Sequence, residues 1–289
     1  MNERETKIFA HQSQGLLIRF LALFWAVLAC GQPVYAQGAE LKLHNDINSA
    51  ARQLSPVISS DGNMLFFCRE GDPQNAGFKQ RKYDQDIWLS RRQADGTFGA
   101  PEHLDAPFNT AGYDFPVAFF SENQTLYLGN TYSADGKSAP GISKSRLVDG
   151  KFSFPEALII EDFYNDVNLV GYAMGPDQKT LIMSLKRRDT RGKSDLYVSF
   201  LQENGKWTKP LNLGDDINTA AAELTPYLAG DMRTLYFASD RAGGFGKFDL
   251  YISRREDDSF TKWSAPKNLG KNFNTQGSDI SFTLTPGGS

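Results

Sequence analysis

Cysteine, histidine and long apolar runs are all scarce in this chain of 289 residues, and each scarcity excludes a class of protein. Two cysteines cannot build a disulfide framework, and three histidines leave little material for a histidine-rich metal site. The apolar run from Phe20 to Cys30 is too short to span a bilayer. A formal net charge of −3 gives no basic footprint for nucleic acid. What remains is a globular chain, long enough for one large domain or two small ones.

Familiar catalytic motifs are also missing from the sequence. There is no Gly-x-Ser-x-Gly nucleophile elbow, no His-Glu-x-x-His zinc motif and no sialidase-type Asp box. Only His44 and His103 follow residue 36, and each stands alone, so we interpret both as surface or strand-edge residues. The sequence therefore favours a protein that is not an enzyme.

The first 36 residues differ from the rest and predict export from the cytoplasm. The apolar run follows three cations, Arg4, Lys7 and Arg19. Ala36, with Val34 two positions before it, fits a cleavage site, which predicts a signal peptide over 1–36 and a mature domain over 37–289.

The two cysteines, Cys30 and Cys68, are expected to have different roles. The segment "VLAC" resembles a bacterial lipobox, in which Cys30 would be lipidated and become the first residue, although Leu28 is atypical for that motif. Cleavage after Ala36 would leave Cys68 without an internal disulfide partner. We interpret Cys68 as a small buried hydrophobe.

A repeated pattern organises the chain after the leader. The pattern aromatic-x-x-Pro-x-x-Leu occurs four times, with prolines at Pro101, Pro155, Pro210 and Pro266, spaced by 54, 55 and 56 residues. Three other elements keep step with it: a polar turn, a "TLYFASD"-like segment and a "DLYISRR"-like segment. Each unit thus holds four short strand candidates separated by turns.

Four strands in a unit of this length are typical of a propeller blade. We therefore predict an all-β fold, a β-propeller of four-stranded blades with four complete repeats and a partial fifth. The chain begins with a fourth-strand pattern near Glu40 and ends, over residues 272–289, with a linker and a first strand. Four blades closed by the two ends, or five blades, remain alternatives.

The best copy of the repeat, Thr225–Glu256, contains "SDRAGGFGKFDLY" and resembles the WD40-like repeat of TolB-type β-propellers. Its combination with the segment "NTAAAE" is similar to copies in envelope proteins of Bacteroidetes-like bacteria. The resemblance covers about residues 40–289 and implies a periplasmic, outer-membrane-associated or secreted protein. Such repeats often precede a peptidoglycan-binding OmpA-type domain, so a piece of a larger envelope protein is one alternative.

The charged residues of the repeat loops are the candidate binding residues. They are Arg69, Asp86, Arg187, Asp195, Asp240, Arg241 and Asp249. Because they recur once per repeat, we interpret them first as turn residues that hold the loops, and second as a binding rim. The aligned aromatics Trp88, Tyr197 and Tyr251 predict core positions between blades.

Two further features were weighed for ligands. The pairs Arg91-Arg92 and Arg254-Arg255 and the triplet Lys186-Arg187-Arg188 predict solvated strand ends, with a basic patch for acidic partners as the alternative. No cofactor or metal is predicted, although the oxygen-rich segments Glu70–Asn75 and Glu161–Asn168 leave calcium open.

These observations predict an exported, non-catalytic scaffold or binding module. Its partner would be an envelope protein or a cell-wall polysaccharide, with no nucleic acid and no membrane contact except through a lipid on Cys30. The alternative is an enzyme of polysaccharide or peptide breakdown. Its signature would be two neighbouring carboxyl groups with raised pKa values.

Overall fold

A computed structural model describes residues 43–81, 83–167 and 170–284. The predicted signal peptide over 1–36 and the lipidation residue Cys30 lie outside the described residues. So does Asn168, the last residue of the segment Glu161–Asn168. Within these ranges there is no α-helix, only a 3-10 turn at Asn45–Ile47. No helix there has the length and apolar character needed to cross a membrane.

In the described part of the chain, seventeen strands form four sheets. The first sheet has the order β1 (Arg52–Ile58), β2 (Met64–Glu70), β3 (Gln85–Arg91) and β4 (Glu102–His103). The second has β5 (Pro116–Phe120), β6 (Thr125–Tyr132), β7 (Ser138–Val148) and β8 (Lys151–Phe152), and β9 (Glu156–Ala157) also pairs with β7.

The other two sheets repeat this order. The third has β10 (Gly171–Met174), β11 (Thr180–Leu185), β12 (Asp195–Phe200) and β13 (Leu211–Asn212). The fourth has β14 (Glu223–Leu228), β15 (Thr234–Ser239), β16 (Asp249–Arg254) and β17 (Lys267–Asn268). The predicted fold class, an all-β propeller of four-stranded blades, is confirmed. The described part of the predicted fifth repeat, up to residue 284, forms no strand longer than a bridge.

Local chemistry explains the shape of each blade. In β1 and β14 the pairing slips just before a proline, where Ser55 and Thr225 have φ values of 49° and 42°. Since proline cannot donate to the ladder, a bulge there keeps the rest of the strand in register. The polar turn before the second strand is held by an aspartate. In the fourth sheet Asp231 Oδ1 accepts the N–H groups of Arg233 and Thr234 at 2.9 and 2.8 Å.

Contacts divide the chain into two compact units. Of the described residues, the first unit holds 43–81, 83–139, 145–155 and 283–284, and the second holds 140–144, 156–167 and 170–282. The core of the first unit includes Phe66, Ile87 and Leu126, and that of the second includes Ile182, Val198 and Phe237. All of these side chains are fully buried, as expected for the middle strands of a blade.

The structure bears on three interpretations made from the sequence. Trp88, Tyr197 and Tyr251 are buried, as predicted, and so is the free thiol of Cys68, whose pKa burial raises. The solvated interpretation of the basic pairs is wrong for Arg187 and Arg255, which are 4% and 8% exposed. A guanidinium packs its flat face on an aromatic ring: Arg255 lies 4.3 Å from the ring centre of Phe260, and Arg187 lies 4.1 Å from that of Tyr164.

Candidate binding cleft

In the third and fourth sheets, the aspartate that begins the third strand holds the loop in front of it. Asp249 accepts N–H groups from Phe245 at 2.5 Å and Gly246 at 3.0 Å, and Asp195 accepts those of Arg191 and Gly192. Both carboxylates are buried. Each therefore supplies the acceptors that a tight loop needs for its backbone donors.

A fourth-strand side chain completes this arrangement. Asn212 donates to Asp195 at 2.9 Å, and Asn268 donates to Asp249 at 2.7 Å. In the first sheet the corresponding residue is His103, whose Nε2 lies 2.6 Å from Asp86 Oδ2. The histidine interpreted from the sequence as a strand-edge residue therefore takes the place of an asparagine.

The repeated arginine lies on the same aromatic position in three sheets. Arg69 lies 4.1 Å from the ring centre of Trp88, and Arg241 lies 4.9 Å from that of Tyr251. Each donates to a carbonyl of the preceding linker: Arg69 to Asp46, Arg241 to Ile217 and Arg187 to Asp162. The arginine thus joins a loop to the linker that enters its blade.

Asp240 differs from the buried aspartates because it faces a neighbouring loop. Its carboxylate accepts the N–H of Ala222 at 2.7 Å and pairs with Lys193. Partial burial opposes the charged form of Asp240, but the bonds from Lys193 and Ala222 outweigh it and hold the pKa below its usual value.

Arg187 is the one residue of the sequence-predicted set that lines a cleft found in the second unit. The cleft has a volume of about 620 Å³ and is lined by Asp162, Tyr164, Asp166, Arg187, Arg188, Asp189 and Lys209. The structure does not bring the other six candidates to this cleft, and it places them in the loop networks described above.

Two chain segments form the walls of this cleft. The linker at 162–166 meets the loop after β11 through the N–H of Asp166 on the carbonyl of Lys186, 2.9 Å, and the N–H of Arg188 on the Tyr164 hydroxyl, 3.0 Å. Arg187 is held between them, with Nη2 3.2 Å from Asp162 Oδ2. The backbone of both walls is therefore fixed by hydrogen bonds before any ligand arrives.

Charges of both signs line the cleft. Lys209 Nζ lies 2.9 Å from Asp162 Oδ2, and the buried Arg187 has its Nε 3.8 Å from Asp189 Oδ1. The bonds from Lys209 and the charge of Arg187 lower the pKa of Asp162, although slight desolvation opposes them. The exposed pair between Lys209 and Asp162 contributes little to stability, so a charged ligand can exchange with it at small cost.

Sequence reasoning missed Asp162, Tyr164, Asp166 and Lys209 as members of a site. Asp162 and Asp166 belong to the segment Glu161–Asn168, which was noted only as a source of oxygens for calcium. The repeat could not have found them, because the linkers that enter the other blades lack this tyrosine and this run of acids.

Two aspartates of the first unit have raised pKa values, which is one part of the enzyme signature expected from the sequence. Burial raises the pKa values of Asp84 and Asp114 to about 6, opposed by N–H groups of Gly77 and Thr110 and reinforced by the charge of Asp86. All three aspartates have no exposed surface. A substrate would have to unfold the loop to touch them.

The described residues do not contain three or more histidine, cysteine or acidic side chains grouped so that they could hold a metal ion. Glu70–Asn75, one of the two segments left open for calcium, uses its side chains internally: Asp72 pairs with Arg69 at 3.1 Å and Asn75 donates to two carbonyls. These contacts do not test the expectation that the chain has no metal cofactor, nor the calcium alternative that the sequence left open.

Comparisons with known proteins show similarity of fold. The chain matches no protein-family model and no curated protein. Among solved structures it is similar to TolB from Acinetobacter baumannii, with 16% identity and a TM-score of 0.46 over 77% of this chain and 44% of that chain. It thus spans less than half of that TolB chain.

Two other solved structures are similar to the same degree. A protein of unknown function from Dyadobacter fermentans has 15% identity and a TM-score of 0.48 over 80% of this chain and 71% of that one. An alpha-L-arabinofuranosidase from Lactobacillus brevis has 12% identity and a TM-score of 0.43 over 82% and 81%. Such likeness concerns the fold and leaves the function open. The four sheets of sequential strand order themselves identify the fold of the described residues as a β-propeller of four blades.

Proposed function

We propose that this protein is an exported, non-catalytic binding module that holds a polar segment of another envelope protein in the cleft of its second unit. The observation that carries the proposal is the cleft itself, with a volume of about 620 Å³ and walls fixed by backbone hydrogen bonds. Ligand sites in proteins are usually concave and largely formed in advance.

The chemistry of the lining supports a peptide as the ligand. Arg188 and Lys209 offer cations, Asp166 and Asp189 offer carboxylates, and the ring of Tyr164 lies 4.1 Å from the guanidinium of Arg187. Tyrosine and arginine are enriched among the residues that dominate binding at protein interfaces. A segment with charges of both signs complements such a lining.

The alternative of a hydrolase receives less support. The raised pKa values of Asp84 and Asp114 meet one of its requirements. The complete burial of both side chains does not meet the other, because a general acid must reach the atom that it protonates.

Site-specific photocrosslinking in the native envelope tests the proposal. A photoreactive amino acid replaces Arg188 at the cleft, and in a control chain it replaces Lys267, which is exposed on β17. We expect one partner to crosslink at position 188 and not at 267. The double variant Arg188→Glu and Lys209→Glu should abolish binding of that partner, whereas Lys271→Glu should retain it.

Three results would contradict the proposal. The first is equal crosslinking at positions 188 and 267, and the second is a partner that still binds the double variant with unchanged affinity. The third is release of reducing sugars or peptides from cell-wall material by the purified chain, which would favour the hydrolase instead.

A further inference from the structure

A surface of the first unit combines exposed aromatic rings with exposed cations. Tyr83 is 59% exposed and Tyr113 is 49% exposed, and the guanidinium of Arg81 lies 5.0 Å from the Tyr113 ring centre. Lys79 is exposed on the same loop. We call these four residues the tyrosine surface.

Backbone pairing joins the segment that carries Tyr83 to the segment that carries Tyr113. Gln85 and Tyr113 form a parallel bridge, in which the N–H of Gln85 donates to Gly112 at 3.2 Å and the N–H of Asp114 donates to Gln85 at 2.8 Å. Tyr83 lies in a turn that is closed by the N–H of Asp84 on the carbonyl of Arg81, 3.0 Å. Because the guanidinium of Arg81 lies over the Tyr113 ring, this arginine connects the turn of Tyr83 to Tyr113.

Buried aspartates hold the backbone next to both tyrosines. Each exposed tyrosine is followed directly by a buried aspartate, Asp84 or Asp114. Asp84 accepts the N–H of Gly77, and Asp114 accepts the N–H of Thr110, both at 2.6 Å. The tyrosines thus lie on rigid backbone, which lowers the entropy lost when a partner binds.

The cations of this surface differ from those of the second unit. The loop after β11 pairs Arg191 with Asp215 and Lys193 with Asp240. Lys79 and Arg81 make no ion pair with a residue of the described ranges. The charge of Arg81 favours the ionised form of Asp84, but that carboxyl group is buried and accepts the N–H of Gly77.

We propose that the tyrosine surface is a second docking site, which binds an acidic segment of another protein that carries an apolar or aromatic side chain between its carboxylates. Charge complementarity selects the acidic segment, because two unpaired cations flank the rings. The rings supply contact area at low entropic cost, since a tyrosine side chain has few rotamers to lose. This site is independent of the cleft in the second unit.

Fluorescence anisotropy with the full mature chain tests the proposal. The probe is a fluorescein-labelled peptide of four Glu-Phe-Glu-Gly repeats, and the opposite-charge probe has lysine in place of glutamate. We expect saturable binding of the acidic probe alone. Replacing both tyrosines, Tyr83→Ala with Tyr113→Ala, should raise Kd roughly tenfold or more. Lys79→Gln with Arg81→Gln should weaken binding and reduce its dependence on salt.

The matched control removes two cations from the second unit, Arg191→Gln with Lys193→Gln, and should leave Kd unchanged. All substituted side chains are exposed, and equal melting temperatures will show that each variant folds. The proposal is wrong if the acidic probe does not bind, if the control pair weakens it as much as the tyrosine pair, or if polygalacturonate displaces it and binds more tightly. Failure of the cleft crosslinking would not affect this result, because the two experiments probe different units.

Discussion

Single carboxylates decide whether the loops of this protein keep their shape. Asp249 is 1% exposed and accepts three hydrogen bonds, from the N–H groups of Phe245 and Gly246 and from the Asn268 side chain. If the role of Asp249 is structural, its removal should lower the free energy of unfolding even when no ligand is present. A role in binding alone would leave stability unaffected.

The substitution Asp249→Ala measures that role. It leaves three donors without their acceptor, so we expect the free energy of unfolding to fall by about 3 kcal/mol. Urea unfolding measures the change. The control is Asp215→Ala, whose side chain is 75% exposed and pairs only with Arg191, and its effect should stay below about 1 kcal/mol. An unchanged midpoint for Asp249→Ala would refute the structural role.

The buried aspartates of the first unit predict an unusual dependence of stability on pH. The pKa of Asp84 lies at about 6 in the folded chain, against a usual value of 3.8. The folded state therefore binds a proton that the unfolded state releases between these values, and stability falls as pH rises from 3.8 to 6. Asp114 has the same direction and the same range.

The substitution Asp84→Asn should remove most of the contribution that this residue makes to the pH dependence of stability. The amide keeps an acceptor for Gly77 and places its NH₂ where Oδ1 of Asp84 has no partner. We expect the variant to be more stable than the parent by on the order of 2 kcal/mol at pH 8, and close to it at pH 4. Thermal unfolding at both pH values measures this. A variant that is less stable than the parent by the same amount at pH 4 and pH 8 would show that ionisation of Asp84 does not destabilise the folded state.

At the scale of elements, glycines let each loop approach the next linker. A Cβ on Gly246 would lie 2.3 Å from the Thr275 carbonyl oxygen, and one on Gly192 would lie 2.0 Å from that of Ala221. The N–H of the following residue donates to the same linker, from Lys247 to Gly277 at 2.7 Å. The glycine-rich loop is thus a close contact between backbone segments.

The substitution Gly246→Ala tests this contact. The backbone carbonyls cannot move aside easily, so we expect a loss of about 3 kcal/mol in the free energy of unfolding. Gly230→Ala is the control, because a Cβ there meets no atom within 4 Å, and it should change stability by less than about 0.5 kcal/mol. Equal effects of the two variants would refute the close approach.

The element scale also shows how far the sequence predicts the structure. The strands follow from alternating turns and β-branched or aromatic runs, because these patterns act locally and recur in every repeat. Arg187 was predicted as a solvated residue, since a sequence does not show that Tyr164, which lies in a linker, covers its guanidinium. The sequence did not predict the burial of Asp84 and Asp114 either, because their burial also depends on contacts between segments that are distant in the chain.

At the scale of the whole molecule, the repeat fixed the fold but could not locate the sites. The cleft is lined by residues that depart from the repeat, such as Tyr164 and Asp166. Lys79, Arg81 and Tyr83 of the tyrosine surface lie in the loop between β2 and β3, which is longer than the corresponding loops of the other sheets. Structural residues recur because every blade needs them. Binding residues are needed once, so they are found where repeats differ.

Export is the prediction that concerns the whole chain and its cellular context. Cleavage after Ala36 predicts a mature protein that begins at Gln37 and lacks Cys30. Intact mass of the protein purified from cells measures this directly. Ala36→Arg places a large cation at the cleavage position, so we expect the uncleaved precursor to accumulate, whereas Cys30→Ser should be processed normally. A mature mass carrying acyl chains, with processing blocked by Cys30→Ser, would instead establish lipidation at Cys30 and a membrane-anchored binding module.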